Sequence, residues 1–373
     1  MQAAEFRILA INPGSTSTKV GLFANEQALH VATLRHTDEE MTRFLGRPVL
    51  EQQEFRSTLI ERELTAQGFD LKTFAAVVGR GGLLRPLTSG TYRVNDAMLK
   101  ELRQARRGEH AANLGAFLAK AIAQRAGTQA YVVDPVSVDE WQDRARFSGT
   151  ALLERPCLSH ALNMKAVAKR YAKSVGRSYQ GLRLIVAHLG SGVSVSAHQA
   201  GRMIDATNSR EEGAFSSDRA GGVPAMQLVK LCFSGQYTEK DVENLLFREG
   251  GLFSYLGSRD LIDVERRIAD GDGKAAAIFG AMVYQIAKDI GAMAAVLSGK
   301  VDAVLVTGGM AHSEKLAGDL RDMVEWIAPV VLFAGEDELP ALVEGVLRVL
   351  RGEEEIRELP SPEEKEACRE NCH

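Results

Sequence analysis

The chain has no surplus of positive charge, no clean apolar run that would span a bilayer, and only four cysteines among 373 residues. Its formal charge of −4 and isoelectric point near 6.1 argue against nucleic acid as a main partner, a role that usually shows as a basic stripe. An anionic small ligand would have to be met by locally placed Arg, Lys and His. The longest apolar stretch, AAAIFGAMVYQIAKDIGAMAAVLSG, is interrupted by Gln285, Lys288 and Asp289, which are costly near a bilayer centre. It reads as a buried core helix, and no membrane partner is expected. The opening MQAAEFRILA enters a strand without a basic region, an apolar segment or a cleavage site, so the expectation is a cytoplasmic protein. Cys157, Cys232, Cys368 and Cys372 show no pairing pattern, which suits a reducing compartment. Cys368, Cys372 and His373 fall together in CRENCH, and this cluster reads as a frayed tail rather than a soft-metal site. Two nucleotide signatures are also missing: there is no G-x-x-x-x-G-K-[ST], and no G-x-G-x-x-G follows the first strand.

The composition, 45% hydrophobic and 25% charged, is that of a globular protein, and the length points to two domains. Charges at helical spacing make residues 50–67 an exposed amphipathic helix closed by Gly68. FAAVVG follows as a buried strand with Arg80-Gly81-Gly82 at its exit. NDAMLKELRQARRG is a capped helix ending at Gly108, and His110 opens the next helix. AYVVD is a strand that turns at Asp134-Pro135.

The second half begins as the first does. RLIVAHLGSGVSVSA, residues 183–197, lies over RILAINPGSTSTKVG, residues 7–21, without a gap, and places His188 on Asn12 and Gly190 on Gly14. Both are strand, Gly-Ser turn, strand, as a duplicated chain would give. VDAVLVTGG ends a later strand at Gly308-Gly309, and a closing helix follows Gly335. With no Pro- or Ser-rich linker, the boundary is a packed crossover in 148–160. The expected domains are 1–157 and 158–339, with 340–373 returning to the first. Such turns suit phosphate, because an anion takes several hydrogen bonds at once and glycine lets the backbone approach.

LAINPGSTSTK, VGRGGLL, GEHAANLGA, VVDPVSVDE, SHALNMKAVA, AHLGSGVSV and VTGGMAH occur in this order, and together they resemble the acetate and butyrate kinase family. The resemblance covers about residues 5–350. It implies an α/β fold of two duplicated ribonuclease-H-like domains with a nucleotide cleft, as in actin, sugar kinases and heat-shock ATPases. It also implies phosphorylation of a short-chain carboxylate by ATP with Mg2+, giving an acyl phosphate and ADP. The wording of the motifs favours butyrate or a branched relative over acetate or propionate. A non-catalytic nucleotide switch is the rival from another class. Domain closure and a homodimer or larger assembly are further expectations.

The chemistry follows from the substrate. A carboxylic acid with a pKa of about 4 to 5 is already ionised at neutral pH and needs no general base. Its obstacle is repulsion from the polyphosphate, so the site must supply cations and donors. By resemblance, Arg80 holds the substrate carboxylate and Arg219 lies beside the transferred phosphoryl group. His160 and His188 donate to that group, His110 supports, and Asp134 is the catalytic aspartate. Asn12, Ser15, Ser17 and Lys19 match the first cradle, and Gly190, Ser191 and Gly192 form the second. Gly308 and Gly309 lie against adenosine, and Glu338 aligns with an acidic residue linked to magnesium, beside Glu336 and Asp337. Where the family often carries Asp-x-Arg this chain has Asp260-Leu261-Ile262, so the arginine that touches nucleotide is missing, and Arg259 or Arg266 would have to substitute.

Overall fold

A computed structural model describes residues 4–360, arranged as two compact units. The first unit comprises 4–138 and 337–360, and the second comprises 139–336. Cys368, Cys372 and His373 lie outside the described residues.

The first unit is built on a six-stranded sheet of β1 (Arg7–Pro13), β2 (Ser17–Ala24), β3 (Gln27–Arg35), β4 (Ala76–Arg80), β5 (Thr91–Arg93) and β6 (Gln129–Val133). Its order is β3-β2-β1-β4-β6-β5. The first three strands form an antiparallel meander, whereas β1, β4 and β6 run parallel. β1 and β4 are buried almost throughout, as a strand covered on both faces requires. Helices α1 (Asp38–Thr42), α2 (Gln53–Ala66), α3 (Asp96–Gln104) and α4 (Asn113–Ala126) belong to the same unit.

The second unit opens with a two-stranded hairpin, β7 (Phe147–Thr150) and β8 (Leu153–Glu154), then α5 (Ala161–Ser174). Its sheet contains β9 (Arg183–Leu189), β10 (Val193–Gln199), β11 (Arg202–Ala206), β12 (Ala303–Gly308) and β13 (Val330–Ala334), in the order β11-β10-β9-β12-β13. Between β11 and β12 lie α6 (Ala225–Cys232), α7 (Glu239–Phe247), α8 (Gly251–Leu256), α9 (Leu261–Ala269) and α10 (Gly273–Val296). α11 (Glu314–Val324) links β12 to β13, and α12 (Glu338–Leu350) returns to the first unit.

The duplication read from the two hairpins is a duplication of topology. β9 starts 176 residues after β1 and β10 starts 176 after β2, and each hairpin continues into a third antiparallel strand and a parallel crossover. This is the ribonuclease-H-like arrangement expected. The long apolar stretch is α10, whose Phe279, Met282, Val283, Ile286 and Ile290 enter the core of the second unit. No helix among the described residues is long and apolar enough to cross a membrane.

The division falls elsewhere than expected, at 138/139 and 336/337. Residues after 138 are tied into the second unit by specific bonds. The Gln142 amide donates to the Ile204 carbonyl at 3.0 Å, and the Lys165 ammonium meets Glu140 at 2.6 Å in a nearly fully buried pair. Arg155 binds both carboxylate oxygens of Glu212, at 2.7 and 2.8 Å. Two other expectations change. α2 is not simply an exposed helix, since it buries Arg56, Ser57, Ile60 and Leu64. His110 precedes α4 rather than opening it, and its Nδ1 accepts from the Ala112 amide at 3.1 Å.

Candidate active site

In the first unit the candidate residues gather at the carboxyl ends of three adjacent parallel strands, where α/β sheets present ligand-binding loops. Asn12 is near the end of β1, Arg80 ends β4, and Asp134 follows β6. Glycine makes the arrangement possible at one crossing. A Cβ on Gly79 would stand 2.0 Å from the Gly115 carbonyl oxygen, so α4 rides directly on the end of β4.

Arg80 Nη1 is 2.6 Å from Glu338 Oε1 and 3.4 Å from Asn12 Oδ1, and the Asn12 amide donates to Glu338 Oε2. Nη2 and Nε of Arg80 have no acceptor among the described residues. The guanidinium is therefore fixed along one edge while its other edge is open, in the geometry that accepts a carboxylate or phosphate with two parallel bonds.

Asp134 is 3% exposed and has a left-handed φ of +37°. A non-glycine residue held there stores backbone strain, of order 1–3 kcal/mol. The carboxylate is locked by the Ser89 hydroxyl at 2.6 Å and the Gly90 amide at 2.8 Å. Asn12 pairs with Lys19 across β1 and β2, which sets both on one face of the hairpin, with the Lys19 side chain exposed. Ser15 is exposed and Ser17 half-buried in the turn between these strands.

Glu338 is the residue expected to be linked to magnesium. Arg80 and Asn12 use two of the roughly four lone-pair directions of its carboxylate. The hard oxygen donor that remains fits magnesium, which commonly takes one or two carboxylates and fills its shell with water and phosphate. Glu336, its neighbour in sequence, belongs to the second unit.

There the same strand-end pattern recurs. His188 lies near the end of β9, Gly308 ends β12 and Glu336 follows β13. The His160 and His188 rings stack at 3.9 Å with 16° between their planes. Asn163 Oδ1 sits 2.9 Å from His188 Nδ1, Glu336 Oε1 lies 3.5 Å from Nε2, and Ser194 Oγ is 3.2 Å from His160 Nδ1. Both imidazoles are thus fixed in rotation through Nδ1.

The glycines of the second turn are spacing devices. A Cβ on Gly190 would lie 2.6 Å from Glu336 Oε1 and 3.1 Å from His188 Nε2. One on Gly192 would lie 2.6 Å from Arg219 Nη1. Ser191 is joined through its carbonyl to the Ser216 hydroxyl. Arg219 donates to Ser209 Oγ at 3.2 Å, and burial lowers its pKa. Gly308 has φ +96°, and a Cβ there would strike the Leu189 carbonyl oxygen at 2.3 Å; Gly309 follows as the first residue of a short 3-10 helix, with open space where its Cβ would stand.

Asp260 caps α9 by accepting from the Ile262 amide at 2.9 Å, and Ile262 is 77% exposed. Arg259 lies over the Phe253 ring at 3.7 Å and bonds the Arg248 carbonyl, while Arg266 pairs with Asp263. Among the described residues no cluster of three or more His, Cys, Asp or Glu forms a ready-made metal site. Sequence reasoning did not single out Asn163, Ser194 or Ser209. Their spacing from His160, His188 and Arg219 carries no signal that distinguishes them from ordinary polar residues.

Residues 155–324 match the Acetokinase family model. The chain is 49% identical over 354 residues to "Butyrate kinase 2" of Clostridium acetobutylicum, covering 95% of this chain and 99% of that protein. It is 48% identical over 353 residues to a "Probable butyrate kinase" of Clostridium botulinum, covering 94% and 99%. Among solved structures, Porphyromonas gingivalis acetate kinase superposes with a TM-score of 0.76 at 17% identity, over 92% of this chain and 99% of that one. A Francisella tularensis propionate kinase gives 0.72 at 17% identity, over 91% and 98%. At that identity the superpositions speak for the fold, and the near-half identity over 94–95% of the chain decides the family: this chain belongs to the acetate and butyrate kinase family.

Proposed function

We propose that the protein is a carboxylate kinase that transfers the γ-phosphoryl group of ATP to a short-chain fatty acid, butyrate or a branched analogue, giving the acyl phosphate and ADP reversibly. The observation that carries this reading is the half-pinned guanidinium of Arg80. A carboxylate docked on its open edge gains two charge-assisted bonds and loses much of its repulsion from phosphate.

The remaining residues take roles that suit an in-line transfer without a general base. Asn12, Ser15, Ser17 and Lys19 bind phosphate oxygens. His160 and His188, each oriented through Nδ1, donate to the phosphoryl group, and Arg219 adds positive charge beside the second turn. Asp134 orients groups around the transferring phosphate rather than taking a proton, since the acid is already ionised. Gly190, Ser191 and Gly192 let the backbone approach the polyphosphate, and Gly308, Gly309 and Asp260 serve the nucleoside. Magnesium bound with ATP would supply charge neutralisation, and Glu338 is the residue we assign to hold it. His110 supports the loop before α4. We also propose a cytoplasmic location and a homo-oligomeric state, a dimer or larger, both from family likeness.

The test is acyl hydroxamate trapping with ATP, magnesium and hydroxylamine across acetate, propionate, butyrate, isobutyrate and valerate. A maximum at four or five carbons is the expected result. A maximum at acetate would overturn the acyl preference, and no hydroxamate from any acid would overturn the kinase reading.

A further inference from the structure

The first Gly-Ser turn is held from behind by a charge that none of the motifs contains. Arg56, on α2, is 1% exposed. Its Nη1 donates to the carbonyls of Gly14 at 2.8 Å and Ser17 at 3.1 Å and to Thr18 Oγ1 at 2.9 Å. Its Nη2 donates to the Ser15 carbonyl at 3.3 Å, and Nε and Nη2 share Gln52 Oε1 at 3.0 and 2.7 Å. The Thr16 carbonyl is taken by the His36 amide at 2.9 Å. Every carbonyl from Gly14 to Ser17 is therefore drawn into the protein.

The amides of Ser15 and Thr16, in contrast, have no acceptor among the described residues. Carbonyls engaged from within and two successive unpaired amides in an exposed turn are the makings of an anion nest. The cation behind it meets only neutral oxygens, with no carboxylate partner among the described residues. Its positive field is thus not cancelled locally and acts on whatever the nest holds. Burial lowers the guanidinium pKa only to about 10, so it stays charged at neutral pH. The same charge, after burial itself, keeps the adjacent His36 neutral, and the Thr18 hydroxyl, which accepts from Arg56, is free to donate to His36 Nε2 at 3.0 Å.

We propose that Arg56 is a positioning residue for phosphate: it shapes the Gly14–Ser17 turn into an anion nest and supplies the uncancelled charge that makes the nest bind polyphosphate. The proposal rests on the kinase reading for its physiological ligand, but the nest can be tested without it.

Two substitutions separate shape from charge. Arg56→Lys keeps a charge but loses the fork that reaches the turn carbonyls. Gln52→Glu keeps the shape of the acceptor and sets a carboxylate on Arg56, cancelling its field while strengthening the contact. Titration calorimetry with inorganic tripolyphosphate, thermal melting and steady-state kinetics with butyrate are the readouts. The expected result for both variants is tripolyphosphate affinity reduced about tenfold and kcat reduced about tenfold or more, with KM for the acid within about threefold of wild type. Gln52→Glu should melt no lower than wild type. Should Arg56→Lys fail to fold, Gln52→Glu alone decides. Wild-type tripolyphosphate affinity and kcat in folded Gln52→Glu would overturn the proposal. If the wild type makes no acyl phosphate yet binds tripolyphosphate in an Arg56-dependent way, the kinase reading falls and the nest stands.

Discussion

Replacing Arg80 by methionine removes a side chain whose one edge is pinned by Glu338 at 2.6 Å and Asn12 at 3.4 Å and whose other edge is assigned to the substrate. Two charge-assisted hydrogen bonds to the acid are lost, each contributing about 1.5–3 kcal/mol. Allowing for partial replacement by water, the loss is ~3–5 kcal/mol, which lowers kcat/KM for the acid roughly 150- to 5,000-fold. The nucleotide KM should change by less than about threefold, because the open edge is assigned to carboxylate. A second cost falls on stability. Glu338 keeps only the Asn12 amide, and a half-buried carboxylate deprived of its cation costs ~1–2 kcal/mol. Adding Glu338→Gln to the same chain should return most of that stability and none of the activity. The assay is hydroxamate trapping with varied butyrate at saturating Mg-ATP, alongside urea unfolding of each variant. A loss below about tenfold, or one expressed only in the nucleotide KM, would refute the assignment of the open edge.

Gly192→Ala should leave the melting temperature nearly unchanged while kcat falls about 10- to 100-fold, because the added methyl displaces the mobile end of Arg219, 2.6 Å away, rather than backbone. His36 has its pKa lowered to about 4, chiefly by burial and then by the Arg56 charge, so its contribution to stability is full above about pH 6.5 and is lost as pH falls toward 4. Urea unfolding at pH 7 and pH 4.5 should show wild type losing ~2–3 kcal/mol more than His36→Gln, and equal losses would contradict the neutral buried ring. Ile262→Arg restores a cation at an exposed first-turn position of α9 and should lower the ATP KM about 3- to 10-fold with the acid KM unchanged. An unchanged ATP KM would remove α9 from the nucleotide site.

Much of the architecture was legible because it is written in local chemistry. The two strand-turn-strand hairpins share an ungapped register, and they became the first two strands of two sheets with one topology. Alternation, glycine and caps lie within a few residues of what they control, so the strand ends bearing Arg80, Asp134 and His188 could be read in one dimension. The domain boundary was not legible, since residues 139–157 carry no composition shift and join the second unit only through partners such as Ile204, Asp205 and Glu212.

The sequence by itself determined the duplication, the strand-end placement of the candidate groups and the family. Only the tertiary structure decided which charges meet. Glu336 and Glu338 are indistinguishable in the string GEDELPAL, yet one faces His188 and the other Arg80, because β13 ends before the first and α12 begins at the second. Arg56 looked like one more charge on a solvated helix. Its burial goes with the turn of Gly14 to Ser17, some forty residues earlier, where it donates to the carbonyls of Gly14, Ser15 and Ser17. Hydrogen-bond satisfaction is a property of the folded chain as a whole, and pairings so distant in sequence leave no periodic trace in it.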